Sequence, residues 1–256
     1  MIKRMIRKVV LNAFEKAGLS LQKSLPAFLD SDFRAAYTEL QPFTMVDWSG
    51  ALSVWDAVEH IARNNIEGDF VECGVWRGGT SLLAHRKMMD CGLTDRKLYL
   101  YDTFQGMSDP TENDVDLGGG VAAQRMSSER KVENSINVWA YASREDVENN
   151  IREFAGHEFA GDPDHFKLVE GKVEDTIPAV MPDSIAILRL DTDWYESTKH
   201  ELEHLYDKLN KGGVLLIDDY GVWKGCRKAV DEFFADKEEK PYFVMTAKGG
   251  LAGVKP

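Results

Sequence analysis

Two stretches decide the fold: IAILRLDTD at residues 185–193 and GGVLLIDDY at residues 212–220. Each is an almost unbroken apolar run that ends with two acidic residues in close succession. Such runs are typical of strands buried on both faces of a parallel sheet. In an open parallel sheet the ligand binds outside the carboxyl ends of the strands. The two stretches therefore predict a parallel sheet with acidic side chains at its ligand-binding end.

The rest of the chain continues this pattern. Three further strands are predicted at DFVECGV (69–75), KLYLYDTF (97–104) and HFKLVEGK (165–172). Segments with helical spacing separate the strands, which predicts an α/β fold with crossover helices. A helix is expected over STKHELEHLYDKL (197–209) and should end at Lys211-Gly212-Gly213, because glycine commonly terminates helices. YFVMTAKG and LAGVKP, near the end of the chain, predict a closing hairpin.

Two segments fall outside the alternation. Residues 25–67 have largely helical patterning and precede the first strand, so we expect residues 1–67 to form an N-terminal helical cap and residues 68–256 the α/β domain. Residues 105–142 are polar and contain several glycines. A connection of this length inside a compact domain is usually functional or disordered. We interpret it as a lid over a pocket, with a plain surface insertion as the alternative.

The composition limits the possible partners. The net charge of −12 argues against nucleic acid, because a phosphate-binding surface needs clustered Lys and Arg. Three cysteines without a CxxC pair indicate neither a disulfide framework nor a zinc ribbon, and they fit a reducing, cytoplasmic compartment. No apolar run approaches the ~20 residues that span a bilayer, so no stable membrane association is expected.

The N-terminal segment, residues 1–23, is rich in basic residues with apolar residues interleaved. We expect a helix that docks on the domain or on a second subunit, which predicts a homo-oligomer. Transient contact with an anionic membrane surface is the alternative.

The turn after the first predicted strand reads Glu72-Cys73-Gly74-Val75-Trp76-Arg77-Gly78-Gly79. Glycines let the backbone approach a ligand closely, and the following helix offers free N–H groups. The turn lacks the GxGxxG spacing of a dinucleotide site. Glu72 also suits a cationic amino-acid group better than a pyrophosphate. Asp102, at the end of the second strand, is placed to bind a ribose, which NAD and S-adenosylmethionine share.

Four carboxylates, those of Asp191, Asp193, Asp218 and Asp219, should converge at the ends of the two acidic strands. They would repel one another unless they share a cation. Oxygen ligands suit Mg²⁺, and the absence of His and Cys from both motifs argues against zinc. The alternative is that these acids cap helices or face solvent.

Four motifs resemble those of a known family: GDFVECGVWRGGTS (68–81), YLYDTFQGM (99–107), LRLDTDWYEST (188–198) and GGVLLIDDYG (212–221). In this order and spacing they closely resemble the macrocin O-methyltransferase (TylF-like) family, over about Phe43–Phe234. This family includes sugar O-methyltransferases of macrolide and aminocoumarin pathways. The resemblance implies a Rossmann-like class I methyltransferase fold with a mostly parallel seven-stranded sheet. It also implies S-adenosylmethionine as donor and a Mg²⁺-dependent reaction on a hydroxyl.

The resemblance also implies roles for single residues. Asp191, Asp218 and Asp219 match the metal ligands, and Asp193 matches the proposed general base. The positions that match or adjoin the family's donor site are Thr44, Met45, Glu72, Gly74, Arg77, Gly78, Gly79, Asp102, Gly171, Lys172 and Val173. Gly171-Lys172-Val173 stands where many members have Gly-Trp-Phe beside the adenine, so we expect this pocket to differ.

Together these features predict an enzyme that methylates a hydroxyl of a small molecule with a neighbouring oxygen, a sugar of a natural product or glycan. A non-sugar vicinal diol or a catechol-like acceptor is the first alternative. An NAD-dependent oxidoreductase and a catalytically inactive binding subunit are the others. Residues 1–40 and the lid match no motif that identifies the acceptor.

Overall fold

The computed structural model describes residues 25–156, 159, 162 and 164–256. The chain divides into two compact units, residues 1–34 and residues 35–256. The docking helix predicted for residues 1–23 lies outside the described residues. In the first unit, the Asp30 carboxylate accepts hydrogen bonds from the backbone N–H groups of Asp32 and Phe33, at 2.8 and 3.1 Å. Among the described residues, no helix is long and apolar enough to cross a membrane.

The described residues form a seven-stranded sheet in the order β3-β2-β1-β4-β5-β7-β6. The strands are β1 (Asp69–Cys73), β2 (Leu98–Asp102), β3 (Phe166–Glu170), β4 (Ile185–Leu190), β5 (Leu209–Ile217), β6 (Val244–Met245) and β7 (Leu251–Val254). Strands β1 to β5 are parallel, while β7 pairs antiparallel with β5 and β6 with β7. The predicted α/β class, with a mostly parallel sheet and a closing hairpin, is confirmed.

The described residues also form eight α-helices. They are α1 (Ser31–Leu40), α2 (Trp48–Arg63), α3 (Gly79–Asp90), α4 (Ala122–Ser128), α5 (Arg144–Phe154), α6 (Val173–Thr176), α7 (Tyr195–Leu205) and α8 (Lys224–Ala235). Helix α2 packs against α3 and β5, and α7 packs against α8. The helical patterning predicted for residues 25–67 is confirmed by α1 and α2. Helix α2 lies in the second unit.

Strand β4 explains why the apolar runs dominate the fold. Each of its six residues is buried, as expected for a strand covered on both faces. Ile187 and Leu188 are wholly inaccessible, and burial of such a side chain contributes about 1.5–3 kcal/mol. Arg189 is also buried, at 2% exposure, and a charged group can lie there only if it is paired.

One sequence prediction was wrong. The helix expected over residues 197–209 ends at Leu205, and a short 3-10 turn leads directly into β5 at Leu209. Lys211-Gly212-Gly213 therefore lies inside the strand. Gly212 has φ +81°, and its N–H donates to the Lys255 carbonyl at 2.9 Å. The pairing of β4 with β5 is shifted at this point, so glycine here permits a strand irregularity instead of ending a helix.

Residues 105–142, all of which the structure describes, carry one short helix, α4. The segment is attached to the loop after β5 by backbone hydrogen bonds. Leu117 N–H donates to the Val222 carbonyl at 3.1 Å, and Lys224 N–H donates to the Val115 carbonyl at 2.8 Å. The segment is thus an ordered wall beside the carboxyl ends of the strands.

Candidate active site

A cavity of about 480 Å³ opens at the carboxyl ends of β1 to β5. Gly74, Asp102 and Gly171 line it where β1, β2 and β3 end, and we call this part the glycine side. Asp191, Asp193, Asp218 and Asp219 line it after β4 and β5, and we call this part the acidic side. Residues 105–142 form the opposite wall. The volume is in the range of small-molecule sites.

Gly74 joins the two sides. Its φ is +86°, a left-handed conformation that glycine adopts without steric cost. A Cβ atom at this position would lie 2.0 Å from the Asp191 carbonyl oxygen. The end of β1 can therefore approach the end of β4 this closely only because residue 74 has no side chain.

Asp102 organises the turn after β1. One carboxylate oxygen accepts hydrogen bonds from the N–H groups of Val75 and Trp76, at 2.8 and 3.1 Å. The other accepts from Phe104 N–H at 2.8 Å. Burial raises the pKa of Asp102, although these three N–H groups act to lower it. Asp102 lines the cavity and also fixes the backbone around it.

Trp76 follows in the same turn. It is buried, has φ +48° and lines the cavity. Its indole N–H is buried and has no hydrogen-bond partner among the described residues. A buried donor of this kind is costly unless something binds it, so the glycine side offers one polar group to a ligand.

The other positions assigned to the donor separate into two groups. Met45, Gly171, Lys172 and Val173 line the cavity. The remaining ones, Thr44, Glu72, Arg77, Gly78 and Gly79, do not lie in its lining.

Those remaining positions build the support of the turn. Arg77 donates two hydrogen bonds to the Asp146 carboxylate, at 2.8 and 3.0 Å. The Thr44 and Thr80 hydroxyls are 2.8 Å apart. Gly78 is the left-handed residue that precedes α3. At Gly79 a Cβ would lie 2.5 Å from the Phe43 carbonyl oxygen.

On the acidic side, carboxylate oxygens of Asp191, Asp193 and Asp219 lie within 4.8 Å of one another, close enough to hold one metal ion. The sequence placed Asp218 in this set and Asp193 outside it. In the structure Asp218 lines the cavity but accepts a hydrogen bond from Arg189 at 3.1 Å. All four acids converge as predicted, while the tightest group of three contains Asp193.

The convergence changes how these acids ionise. Burial, with the negative charges of Asp191 and Asp218, raises the pKa of Asp193 to about 7. Burial and the charge of Asp191 raise the pKa of Asp218 to about 6. Burial and the charge of Asp193 raise the pKa of Asp219 well above its usual range. The cluster therefore favours a shared proton or a bound cation at neutral pH.

The loop that carries Asp191 and Asp193 is fixed by hydrogen bonds to Asp219 and Glu201. Asp193 has φ +65°, and its N–H donates to Asp219 Oδ2 at 3.2 Å. The Thr192 hydroxyl donates to Glu201 Oε1 at 2.9 Å, and Glu201 is fully buried on α7. A non-glycine residue in a left-handed conformation costs about 1–3 kcal/mol and persists where its surroundings determine it.

Sequence reasoning missed Arg189. Its guanidinium is 2.8 Å from both Glu72 Oε1 and Asp191 Oδ2, and 3.1 Å from Asp218 Oδ1. The available signal was a single charged residue inside the apolar run of residues 185–190. Glu72 also accepts a hydrogen bond from the Ser81 hydroxyl. Burial raises the pKa of Glu72 to about 7, opposed by Arg189.

Aromatic residues pack next to the acidic side of the cavity. Trp223 lines the cavity and packs edge-on against Trp194, with ring centroids 4.9 Å apart. Arg125 of α4 also lines the cavity, and its guanidinium lies 5.6 Å from the centre of the Trp223 ring. The wall formed by residues 105–142 thus reaches the acidic side directly.

Comparison with known proteins places this site in a family. The family model described as macrocin-O-methyltransferase (TylF) matches residues 3–243. Demethyldecarbamoylnovobiocin O-methyltransferase of Streptomyces niveus is 33% identical, over 75% of this chain and 68% of that protein. Mycinamicin III 3''-O-methyltransferase of Micromonospora griseorubida is 29% identical, over 74% and 69%.

Solved structures agree. The O-methyltransferase NovP superposes with a TM-score of 0.70 and 30% identity, over 83% of this chain and 82% of that chain. The calicheamicin methyltransferase CalS11 has the same fold, with a TM-score of 0.58 at 16% identity, over 92% and 98%. The chain belongs to the macrocin O-methyltransferase (TylF) family and is an S-adenosylmethionine-dependent O-methyltransferase.

Proposed function

We propose that this enzyme methylates a hydroxyl on a sugar of a natural product, with a divalent cation, Mg²⁺, on the acidic side. The observation that carries the proposal is that the glycine side and a cluster of carboxylates line the same cavity. The names of the relatives above give demethyldecarbamoylnovobiocin as one acceptor and the 3'' position of mycinamicin III as the other. Those names support a sugar acceptor for this chain.

The glycine side fits the donor. Gly74 and Asp102 line the cavity at the ends of β1 and β2, and the buried Trp76 indole N–H has no hydrogen-bond partner among the described residues. Gly171-Lys172-Val173, after β3, lines the same side. We assign the donor's nucleoside to these residues.

The acidic side fits a hard divalent cation, because its side chains offer oxygen ligands and Arg189, which also pairs with Glu72, balances only part of their negative charge. Asp191, Asp218 and Asp219 would hold it. A cation there would lower the pKa of an acceptor hydroxyl and fix its direction. A second oxygen beside that hydroxyl would add a further ligand, so we expect acceptors with vicinal oxygens to be preferred.

Asp193 is assigned as the general base. Its carboxylate lies within 4.8 Å of that of Asp219, and burial with the neighbouring negative charges raises its pKa to about 7, which suits a group that accepts a proton near neutral pH. In the reaction the acceptor oxygen attacks the methyl carbon and a C–O bond forms. S-adenosylmethionine, when bound, would supply the methyl group, with the C–S bond breaking and its electron pair left on sulfur. The hydroxyl proton passes to Asp193.

We assign the role of lid to residues 105–142. The segment lines the cavity through Arg125 and Ile136, among others, and is tied to the loop that carries Asp219. A wall in this place excludes water and orients the acceptor, which in favourable intramolecular analogues contributes up to ~7–11 kcal/mol.

The test is product analysis by mass spectrometry. The enzyme is incubated with S-adenosylmethionine, Mg²⁺ and matched panels of antibiotic glycosides, the corresponding aglycones and catechols. We expect a mass gain of one methyl group on glycosides with vicinal hydroxyls and none on the aglycones. Methylation of catechols alone would assign the non-sugar acceptor instead.

Cation dependence is tested in the same assay. With excess EDTA we expect turnover to fall to background, while calorimetry still shows binding of S-adenosylhomocysteine. Restoration by Mg²⁺ provides the control. Full turnover in EDTA would overturn the assignment of the acidic side as a cation site.

A further inference from the structure

We propose that Arg189 and Glu72 form a positioning pair for the cation site, in which Arg189 orients two acidic ligands and Glu72 neutralises its charge. This inference rests on the proposed cation site. It assigns to Glu72 a function on the acidic side, in place of the donor contact that the sequence suggested.

The sheet itself brings the pair together. In the pairing of β1 with β4, Glu72 is the direct partner of Arg189. Side chains two residues apart on a strand point to the same face, and Asp191 follows Arg189 by two positions. On the neighbouring strand β5, the partner of Arg189 is Leu216, and Asp218 follows it by two positions. Three adjacent strands thus direct these side chains to one point.

The contacts and the exposure of the side chains show how Arg189 is placed relative to its three carboxylate partners. Arg189 Nη1 lies 2.8 Å from Glu72 Oε1 and 2.8 Å from Asp191 Oδ2, and Nη2 lies 3.1 Å from Asp218 Oδ1. The side chains of Arg189 and Glu72 are 2% and 1% exposed, while those of Asp191 and Asp218 are 24% and 33% exposed. Asp191 and Asp218 therefore lie between the buried Arg189 guanidinium and the open cavity.

Charge explains why both members are needed. A guanidinium behind the site orients carboxylates, but its positive charge also repels a divalent ion in front of them. Glu72 lies on the buried side of Arg189 and is itself fixed by the Ser81 hydroxyl. The pair is neutral as a whole, so it orients Asp191 and Asp218 with little repulsion of the ion. Groups that orient metal ligands in this way typically change metal affinity by about 10–100-fold.

Shape explains why residue 189 is arginine. A guanidinium is a planar fork that donates in several fixed directions, whereas an ammonium is a compact point charge. Lysine could keep the charge but could not span Glu72, Asp191 and Asp218 together. Arg189→Lys therefore tests orientation, and Glu72→Gln tests neutralisation at nearly constant shape.

The experiment measures Mn²⁺ binding, by the electron paramagnetic resonance signal of free Mn²⁺, at pH 8 and without acceptor. For Glu72→Gln and Arg189→Lys we expect the Mn²⁺ Kd to rise roughly 10–100-fold. Binding of S-adenosylhomocysteine in EDTA should stay within about twofold of the wild type, because neither side chain lines the cavity. Asp146→Asn is the matched control: it removes another partly buried ion pair, with Arg77, and should leave Mn²⁺ binding unchanged.

The outcomes separate this inference from the proposed function. If the wild type and Asp219→Asn bind Mn²⁺ equally, the cation site fails and the inference fails with it. If Asp219→Asn loses binding while Glu72→Gln and Arg189→Lys bind as the wild type does, only the inference is overturned. Weaker S-adenosylhomocysteine binding by Glu72→Gln, with Mn²⁺ affinity intact, would return Glu72 to the donor pocket.

Folding is monitored by circular dichroism. If either variant does not fold, Ser81→Ala replaces it, since this change removes the hydroxyl that fixes Glu72. A smaller rise in the Mn²⁺ Kd, in the same direction, is then expected. An unchanged Kd in folded Ser81→Ala would count against the pair.

Discussion

The glycine side and the acidic side occupy one cavity but are built from different groups. On the glycine side, left-handed residues and backbone N–H groups give the shape, and the Asp102 carboxylate accepts three hydrogen bonds from the main chain. On the acidic side, the charges of the side chains matter more for the site than the conformation of the backbone. Four aspartates converge there, and a buried arginine holds two of them.

Because of this difference, the two sides are sensitive to different kinds of substitution. A backbone-built site fails when an added atom or a lost hydrogen bond moves the main chain. A charge-built site fails when a charge is removed or titrated, even if no atom moves. Substitutions on the two sides should therefore give separable effects on donor binding, cation binding and stability.

The largest effect is expected where the two sides meet. In Gly74→Ala the new Cβ would lie 2.0 Å from the Asp191 carbonyl oxygen, at φ +86°. Crowding and left-handed strain each cost about 1–3 kcal/mol, so we expect a loss of about 2–6 kcal/mol in urea denaturation. Gly92→Ala is the control, because Gly92 has φ +75° but no atom within 4 Å of the added Cβ. Equal losses in the two variants would contradict the close approach of β1 to β4.

On the acidic side, Asp193→Asn should lower kcat by roughly 10²–10⁴-fold, the usual contribution of a general base. S-adenosylhomocysteine binding should not change, and Mn²⁺ binding should weaken less than in Asp218→Asn. Steady-state kinetics and paramagnetic resonance give these values. If Asp193→Asn weakens Mn²⁺ binding more than Asp218→Asn does, the two residues exchange roles.

On the glycine side, Asp102→Asn leaves one side-chain oxygen to serve three backbone N–H groups. At least one buried N–H loses its partner, which costs about 1–3 kcal/mol. We expect this loss in urea denaturation, together with weaker S-adenosylhomocysteine binding in calorimetry. The Mn²⁺ Kd should be that of the wild type. A change in Mn²⁺ binding would show that the two sides are not separable.

A further expected effect on the acidic side is a difference in pH dependence. Because the pKa of Asp193 is raised to about 7 from the usual 3.8, the folded state binds its proton more tightly than the unfolded state. In EDTA the wild type should therefore lose stability relative to Asp193→Asn as the pH rises from about 4 to about 7. The limit is about 1.4 kcal/mol per pH unit. Parallel stability curves from thermal denaturation would show that Asp193 ionises normally.

The sequence predicted the sheet and its acidic end well, because both depend on local patterns. A strand buried on both faces reads as an apolar run, and the carboxyl ends of parallel strands must lie together. The NAD-dependent alternative was wrong. The sequence leaves it open because an acidic residue in the position of Asp102 suits the ribose of NAD and that of S-adenosylmethionine alike.

The supports of the site were not predictable in the same way. Arg189 and Glu72 are 117 residues apart, and only the strand register makes them partners. Lys211-Gly212-Gly213 has the composition of a helix end, but pairing between β4 and β5 takes it into a strand. In both cases the pairing between strands selects one of two structures that the local sequence pattern predicts equally well.

The attachment of residues 115–117 to residues 222–224 has a consequence for exchanging parts between relatives. In a chimaera that receives only a foreign 105–142 segment, the new backbone must reproduce the hydrogen bonds to Val222 and Lys224, three and five positions after Asp219. Recombination that aims to change the accepted sugar should therefore transplant residues 105–142 and 219–224 as one unit.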